Sequence, residues 1–429
     1  MPATLRTTLV TISALLFGYG LMQMGNTLQG TLLGVRGGAE GFGATQIGLV
    51  GAAFWGGVVI GSLRAGHLIR RVGHTRTFAA LAAIASTAAL MHLLVIHPIA
   101  WIGFRALTGF CFAGLFITVE SWLNAEATTA TRGRVLSLYG MTGLVAGIGG
   151  QALLPSVDIT GFAAFCVIAV LISLALVPVA LSKASAPSHE MGATTIDLPG
   201  LYRTSPFGVV AAVLCGFSTA SFFALAPVLL QSGNLSSGGI AAFMASATLG
   251  GFAMSWPMGR LSDRIDRRIV AVGLAATGSA TIIGIVVLMP ADASLMLLCA
   301  AAALFGATVM PTYGIVTAHV NDGIAPGDYV AASGGLLVLQ GIGSTLGPIV
   351  SGSAMGAAGG EGLGYSMAAA LALVAGWGML RMRRRAAPAT PEKSPFTLQP
   401  AVPVGTTLAP EALASVEAQA REAAETAPA

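Results

Sequence analysis

The 429-residue chain is poor in charge. Only 9% of its residues are Asp, Glu, Lys or Arg, against about 25% in an ordinary soluble domain. With 55% hydrophobic residues, no soluble fold buries that much apolar surface behind so few charges, so a soluble globular class is excluded. Cysteine is scarce too. Cys111, Cys166, Cys215 and Cys299 stand singly inside apolar runs, without C-x-x-C spacing or a histidine partner. They read as packing residues and give no disulfide framework or metal site. There is no G-x-x-x-x-G-K-[ST] phosphate loop, no H-E-x-x-H and no serine-nucleophile elbow. ATP-driven work within this chain and membrane-enzyme chemistry are therefore not expected, and no cofactor or nucleic-acid partner is implied.

What is present is a series of long apolar runs. They approach the ~20 residues that a helix needs to cross a bilayer, and they lack the ten-residue alternation of a β-barrel. The sequence predicts an all-α membrane protein with twelve spans, near 7–29, 46–66, 77–97, 100–123, 134–154, 160–181, 206–230, 238–258, 269–289, 294–317, 329–353 and 363–381. Spans 10 and 11 carry Pro311 and Pro348. The first run is too long for a signal peptide and holds Gln23, Asn26 and Gln29. Of 21 Lys and Arg, only Arg36 falls in a loop on one side and only Arg105 lies well inside a span. The rest share the other side, which places both termini in the cytoplasm and requires an even span count. The 57 glycines suit close helix packing in a bilayer.

Four regions follow: a six-helix bundle over 1–181, a cytoplasmic linker over 182–205, a second bundle over 206–381 and a disordered tail over 382–429, with a short helix near 410–425. "RMRRR" at 381–385 marks the cytoplasmic membrane edge. The bundles read as an internal repeat. Gly66, Leu68 and Arg71 recur 193 positions later as Gly259, Leu261 and Arg264, and "GIGG" at Gly147 recurs 194 positions later as "GIGS" at Gly341.

Charge is concentrated in the repeated loops: "GRLSDRIDRR", residues 259–268, has six ionisable residues in ten. It resembles the loop motif G-x-L-x-D-R-x-G-R-R of the major facilitator superfamily, with Asp266 at the second glycine. The earlier copy keeps Gly66, Leu68, Arg71 and Gly73 and has Arg70 in place of the motif aspartate. "RALTGFCFAG" from Arg105 is similar to that family's fourth-helix pattern, and "GLVAGIGG" from Gly143 to its glycine-rich fifth-helix motif without the proline. "VESWLN" at 119–124 with "AHVND" at 318–322 resembles the bacterial YcaD-type branch. The resemblance implies two pseudo-symmetric six-helix bundles in a bacterial inner membrane. It implies a monomer that moves a small solute by alternating access. It also implies that the motif carboxylate docks on a helix start of the opposite half. Asp263 is then expected near Arg132 and Arg134, with Arg264, Arg267 and Arg268 in reach of Glu126. In the mirrored contact, Arg70 and Arg71 are expected to meet Asp322 or Asp328. These charges either gate the transporter or only fix its topology.

Inside the membrane stand Arg105 and Glu120. A charge at mid-bilayer costs ~2.5–3.5 kcal/mol or more, so each is a functional candidate. Fifteen positions of helix bring them within about 60° of one face but roughly 22 Å apart, too far to pair. Glu120 is the candidate proton carrier. Arg105 attracts an anionic substrate, steers a proton or satisfies carbonyls between helices. Gln23, Asn26, Tyr139, Tyr313 and Gln340 either line a substrate cavity or bond helices together. His319 is a second titratable candidate, His67 and His74 read as solvated, and Trp122 as an interface anchor. The reading is secondary transport coupled to protons, leaning to efflux of amphiphilic compounds. Uptake of a metabolite and a non-transporting receptor on the same fold are the alternatives.

Overall fold

The computed structural model describes residues 5–127, 131–181, 197–288, 293–324 and 329–384. Among the described residues every regular element is helical. The elements are α1 (Leu5–Ala39), α2 (Ala44–Val72), α3 (His74–Leu94), α4 (Pro98–Glu126), α5 (Arg132–Leu153), α6 (Ala163–Leu174) and α7 (Leu176–Ala180). After these come α8 (Leu198–Thr204), α9 (Pro206–Ser232), α10 (Ser237–Arg264), α11 (Arg267–Leu288), α12 (Leu295–Asn321), α13 (Tyr329–Ala358) and α14 (Gly360–Arg384). Ten stretches are long and apolar enough to cross a membrane, α6 and α7 counting as one run. The long helices α1 and α5 bring the passes to twelve. Pro311 and Pro348 lie inside unbroken helices.

Local chemistry sets the helix starts. Ser205, Ser236 and Ser294 each accept a backbone N–H three residues on, from Gly208, Gly239 and Leu297. Asp197 caps α8 in the same way through Gly200, so the expected linker contains a helical turn before α9. Residues 182–196 and the tail from 385, with its expected helix at 410–425, lie outside the described residues. The first helix runs ten residues beyond the expected 29 and stops at Gly41, whose φ of +78° is open to glycine. Arg36 is therefore in the last turn of α1 and not in a loop, where it pairs with Glu40 at 2.6 Å.

Packing repeats between the two sets of helices. α1 packs on α5 and α6, α2 on α4, and α3 on α4 and α6. In the same way α9 packs on α13 and α14, α10 on α12, and α11 on α12 and α14. Glycines at these crossings let backbones touch. A Cβ on Gly57 or Gly109 would strike the carbonyls of Ala106 or Phe54, and one on Gly250 or Gly306 those of Ala303 or Ala247. Gly150 lies against the Met24 carbonyl as Gly347 lies against that of Phe217. The first two helices of each set are thus related by 193 positions, but α4 and α5 relate to α12 and α13 by 197. The "GIGG" to "GIGS" spacing of 194 is corrected: Gly150 corresponds to Gly347, one helical turn further on. The two glycine-rich strings therefore mark equivalent helices but not equivalent packing positions, which the contacts with Met24 and Phe217 set.

Between the two sets, α2 lies along α13, α5 meets α10, and α1 and α2 meet α9. The close approaches gather at the end that carries Ala39, Ala44, Ser232 and Ala358, here called the far end. There Gly48 abuts the Pro348 carbonyl, Gly352 the Ala44 carbonyl, and Gly51 the Ala224 methyl. The opposite end, with Arg70, Arg71 and Arg264, is the basic end.

Candidate proton and substrate site

α4 carries both intramembrane charges. It runs to Glu126, so Glu120 sits nearly two turns inside it and is 4% exposed. Its Oε1 accepts the Tyr139 hydroxyl at 3.0 Å, while its Oε2 is buried with no partner among the described residues. Tyr139, foreseen as a cavity lining residue, is thus a direct partner of Glu120. The Tyr139 ring meets that of Tyr19 at 4.3 Å, and Tyr19 meets Phe116 at 6.1 Å. Gly143 makes the room: a Cβ there would stand 2.5 Å from the Tyr19 hydroxyl. The carboxyl group is thus withdrawn from water, with one donor and one oxygen left open among the described residues. Sequence reasoning missed Tyr19. Its signal was the spacing 19, 23, 26, which places Tyr19, Gln23 and Asn26 on one stripe of α1.

Arg105, 7% exposed, lies toward the other end of α4. Its Nη1 donates to Gln29 Oε1 at 3.1 Å, and its guanidinium carbon lies 4.1 Å from the centre of the Phe54 ring. Arg105 and Glu120 have separate surroundings and do not pair, as the helix spacing requires. Gln29 was visible in the sequence only as one more polar residue of the first run; here it holds the guanidinium. Gln23 Oε1, Asn26 Oδ1 and Gln29 Nε2 are buried without partners among the described residues. Beside them Thr31 and Gln151 bond each other and tie α1 to α5.

The second set of helices presents a different surface. Tyr313 and Gln340 are buried at 7% and 9% exposure, on α12 and α13. The Gln340 carbonyl abuts Gly216 on α9. His319 packs edge-on against Phe207 at 5.5 Å. Between α9, α10 and α12 a narrow cavity is lined by Thr219, Phe222, Phe223, Phe305, Val309 and Met310.

Among the described residues, the charged hairpin between α10 and α11 has these ion pairs, all within its own set of helices. Arg267 Nε meets Asp322 Oδ2 at 2.7 Å, with side chains 1% and 2% exposed, and its Nη1 meets Asp263 at 2.9 Å and Ser262 Oγ at 3.2 Å. Arg268 pairs with Asp266 at 2.8 Å. Burial alone would raise the Asp266 carboxyl, but the side-chain and backbone hydrogen bonds and the charge of Arg268 outweigh it and hold the group below the usual aspartate range. Asp322, expected as a partner of Arg70 or Arg71, is thus engaged by Arg267. Arg264 and Glu126 form no ion pair among the described residues. Asp328 and the side chain of Arg132 lie outside the described residues. Two sequence expectations are corrected. His74 is not solvated but 6% exposed, its Nε2 3.0 Å from Ser121 Oγ. Trp122 is not an interface anchor but 2% exposed, packed on the His74 ring. The α3–α4 crossing at this end covers both, which a single-helix reading does not anticipate.

The chain matches the model of the Major Facilitator Superfamily over residues 15–322 and again over 207–418. An uncharacterized MFS-type transporter of Yersinia pestis is 26% identical over 310 residues, 71% of this chain and 78% of that one. The uncharacterized MFS-type transporter YcaD of Escherichia fergusonii is 28% identical over 306 residues, again 71% and 78%. Among solved structures, nucleoside transporter NupG superposes with a TM-score of 0.70 at 14% identity, covering 86% of this chain and 96% of that one. A D-xylose-proton symporter does so with 0.67 at 13%, covering 90% and 99%. The inward-facing, unoccupied bacterial homolog of the human lysosomal transporter Spinster gives 0.66 at 15%, covering 89% and 99%. The chain belongs to the major facilitator superfamily: it is a multi-pass membrane transporter and not an enzyme.

Proposed function

From that membership, we propose that the protein is a secondary transporter of the bacterial inner membrane, energised by protons, with Glu120 as the coupling carboxylate. The observation that carries the reading is the isolation of Glu120: a buried carboxyl group with a single tyrosine donor and one unpartnered oxygen. Among the described residues, no other titratable side chain on α1, α4 or α5 has that combination of burial and open capacity.

The solute site lies between the halves, where Arg105 and the unpartnered amides of α1 meet the α9–α12 surface, with Tyr313 and Gln340 as further lining residues. The small number of charges favours an amphiphilic solute, and we take export as the direction. The lysine and arginine distribution puts the basic end and both termini in the cytoplasm. The far-end contacts of α2 with α13 then describe a form closed to the outside. The proposed gate at the basic end comprises Asp263, Arg264, Arg268, Glu126, Arg132, Arg70, Arg71 and Asp328, working between bundles 1–181 and 206–381 of one monomer. Rocking of the halves opens one end as it closes the other, and proton exchange at Glu120 biases that equilibrium.

The test is proton release or uptake by detergent-purified protein on addition of amphiphilic cations, sugars and small acids, with Glu120→Gln in parallel. A ligand-induced signal that vanishes in Glu120→Gln is expected. A signal of equal size in the variant would move coupling to another group, His319 first.

A further inference from the structure

The repeat sets two unlike chemistries at the same place in the two halves. By the 193 and 197 registers, Gln29 corresponds to Phe222, Asn26 to Thr219, Phe54 to Ala247 and Arg105 to Ala302. The first half therefore has a buried guanidinium among amides where the second has an aromatic cavity. Phe222 stacks on Phe305 at 4.6 Å and meets Phe223 edge-on at 5.4 Å.

The two sites face one another. Gly34 of α1 meets α9 across the halves, its Cβ position 3.3 Å from the Ala224 carbonyl and 3.5 Å from Pro227. Gly30 lies one turn before Gly34 on the same face of α1, and Phe223 one turn before Pro227 on the same face of α9. Arg105 Nη2 reaches 3.6 Å from the Cβ position of Gly30. The guanidinium thus stands about 6 Å to the basic side of that contact, level with the turn that carries Phe223. Its one hydrogen-bond acceptor among the described residues is the neutral Gln29, and no acidic side chain there pairs with it. A buried cation without a counter-ion calls for an anionic partner, and a carboxylate matches the guanidinium fork with two parallel hydrogen bonds. An aromatic ring held at that carboxylate lies toward the half-buried Phe223, where offset and edge contacts are favourable; Phe222 and Phe305 behind it are buried.

We infer that the solute is a small aromatic carboxylate, its carboxylate on Arg105 and its ring against Phe223. The inference rests on the transport reading above for the location of the site but not on Glu120. It is tested by equilibrium binding to detergent-purified protein with no gradient, using benzoate, 3-phenylpropionate and indole-3-acetate, the matched amides benzamide and 3-phenylpropanamide, and acetate. Expected is binding of at least one aromatic acid, with its amide and acetate weaker by about tenfold or more. Arg105→Gln and Phe223→Ala should each weaken that acid by about tenfold or more. If Arg105→Gln does not fold, Arg105→Lys, which keeps the charge but not the fork, should still weaken the acid. Absence of binding by all three acids, amides that bind as well as acids, or unchanged affinity in the folded Arg105 variants would overturn it. Acid binding without proton exchange contradicts the coupling role of Glu120 alone. Proton exchange driven only by cations or sugars contradicts the aromatic carboxylate alone.

Discussion

At the residue scale the protein separates its two intramembrane charges and gives each a different surrounding. Glu120 has Tyr139 and Tyr19; Arg105 has Gln29 and Phe54. Tyr139→Phe removes the one donor to Glu120 among the described residues while keeping the ring contact. It is expected to cut proton-coupled flux about tenfold or more with little loss of stability; unchanged flux would show that the hydroxyl is a bystander. Asp266 gives a pH signature outside the membrane. Its carboxyl is held below the ordinary value of about 3.9. A depressed carboxylate stabilises the fold above the unfolded-state value and loses that contribution as pH falls through the folded-state value. The Tm difference between the native chain and Asp266→Asn should therefore be constant from about pH 5 to 8 and shrink below about pH 4. A difference that grows on acidification would refute the assignment. Arg105 and Glu120 were legible in the sequence because an ionisable residue in an apolar run stands out. Tyr19 and Gln29 were not, because their roles depend on which helix lies opposite, and one chain's periodicity does not state that.

At the element scale the glycine crossings set how closely α2 approaches α4 and α10 approaches α12, and the hairpin between α10 and α11 is fastened by Arg267 to the end of α12. Asp322→Ala removes the buried partner of that arginine and leaves Asp263 and Ser262 among its contacts. Breaking a buried pair costs roughly 3–5 kcal/mol, and the low end is expected here because Asp263 remains. The double change Arg267→Met with Asp322→Leu should recover most of the loss in thermal unfolding; a double variant as unstable as the single would mean that the charges themselves are needed. The number and placement of the long helices were legible, since hydropathy and arginine placement act on whole elements. The end of α1, the turn at α8 and the registry of α5 with α13 were not. Each depends on a local turn or on a packing contact that leaves composition unchanged.

At the scale of the whole molecule, equivalent frames carry unequal chemistry: polar and charged in the first half, aromatic in the second. The halves meet most closely at the far end, through Gly48, Pro348, Gly352 and Ala44. Gly48→Val should force α2 from α13 and favour the outward-open form. With Asn26→Cys in a background without the four native cysteines, a membrane-impermeant maleimide added from the far side should label faster; an unchanged rate would mean that this contact does not close the path. The proposed drive of flux by protons through Glu120 is tested most directly in vesicles. Purified protein is reconstituted with a pH-sensitive dye inside, and a ligand from the panel that evokes proton exchange in detergent is added. Ligand-dependent proton movement is expected in the native protein and none in Glu120→Gln of equal folding and insertion. Equal proton movement in both would contradict it.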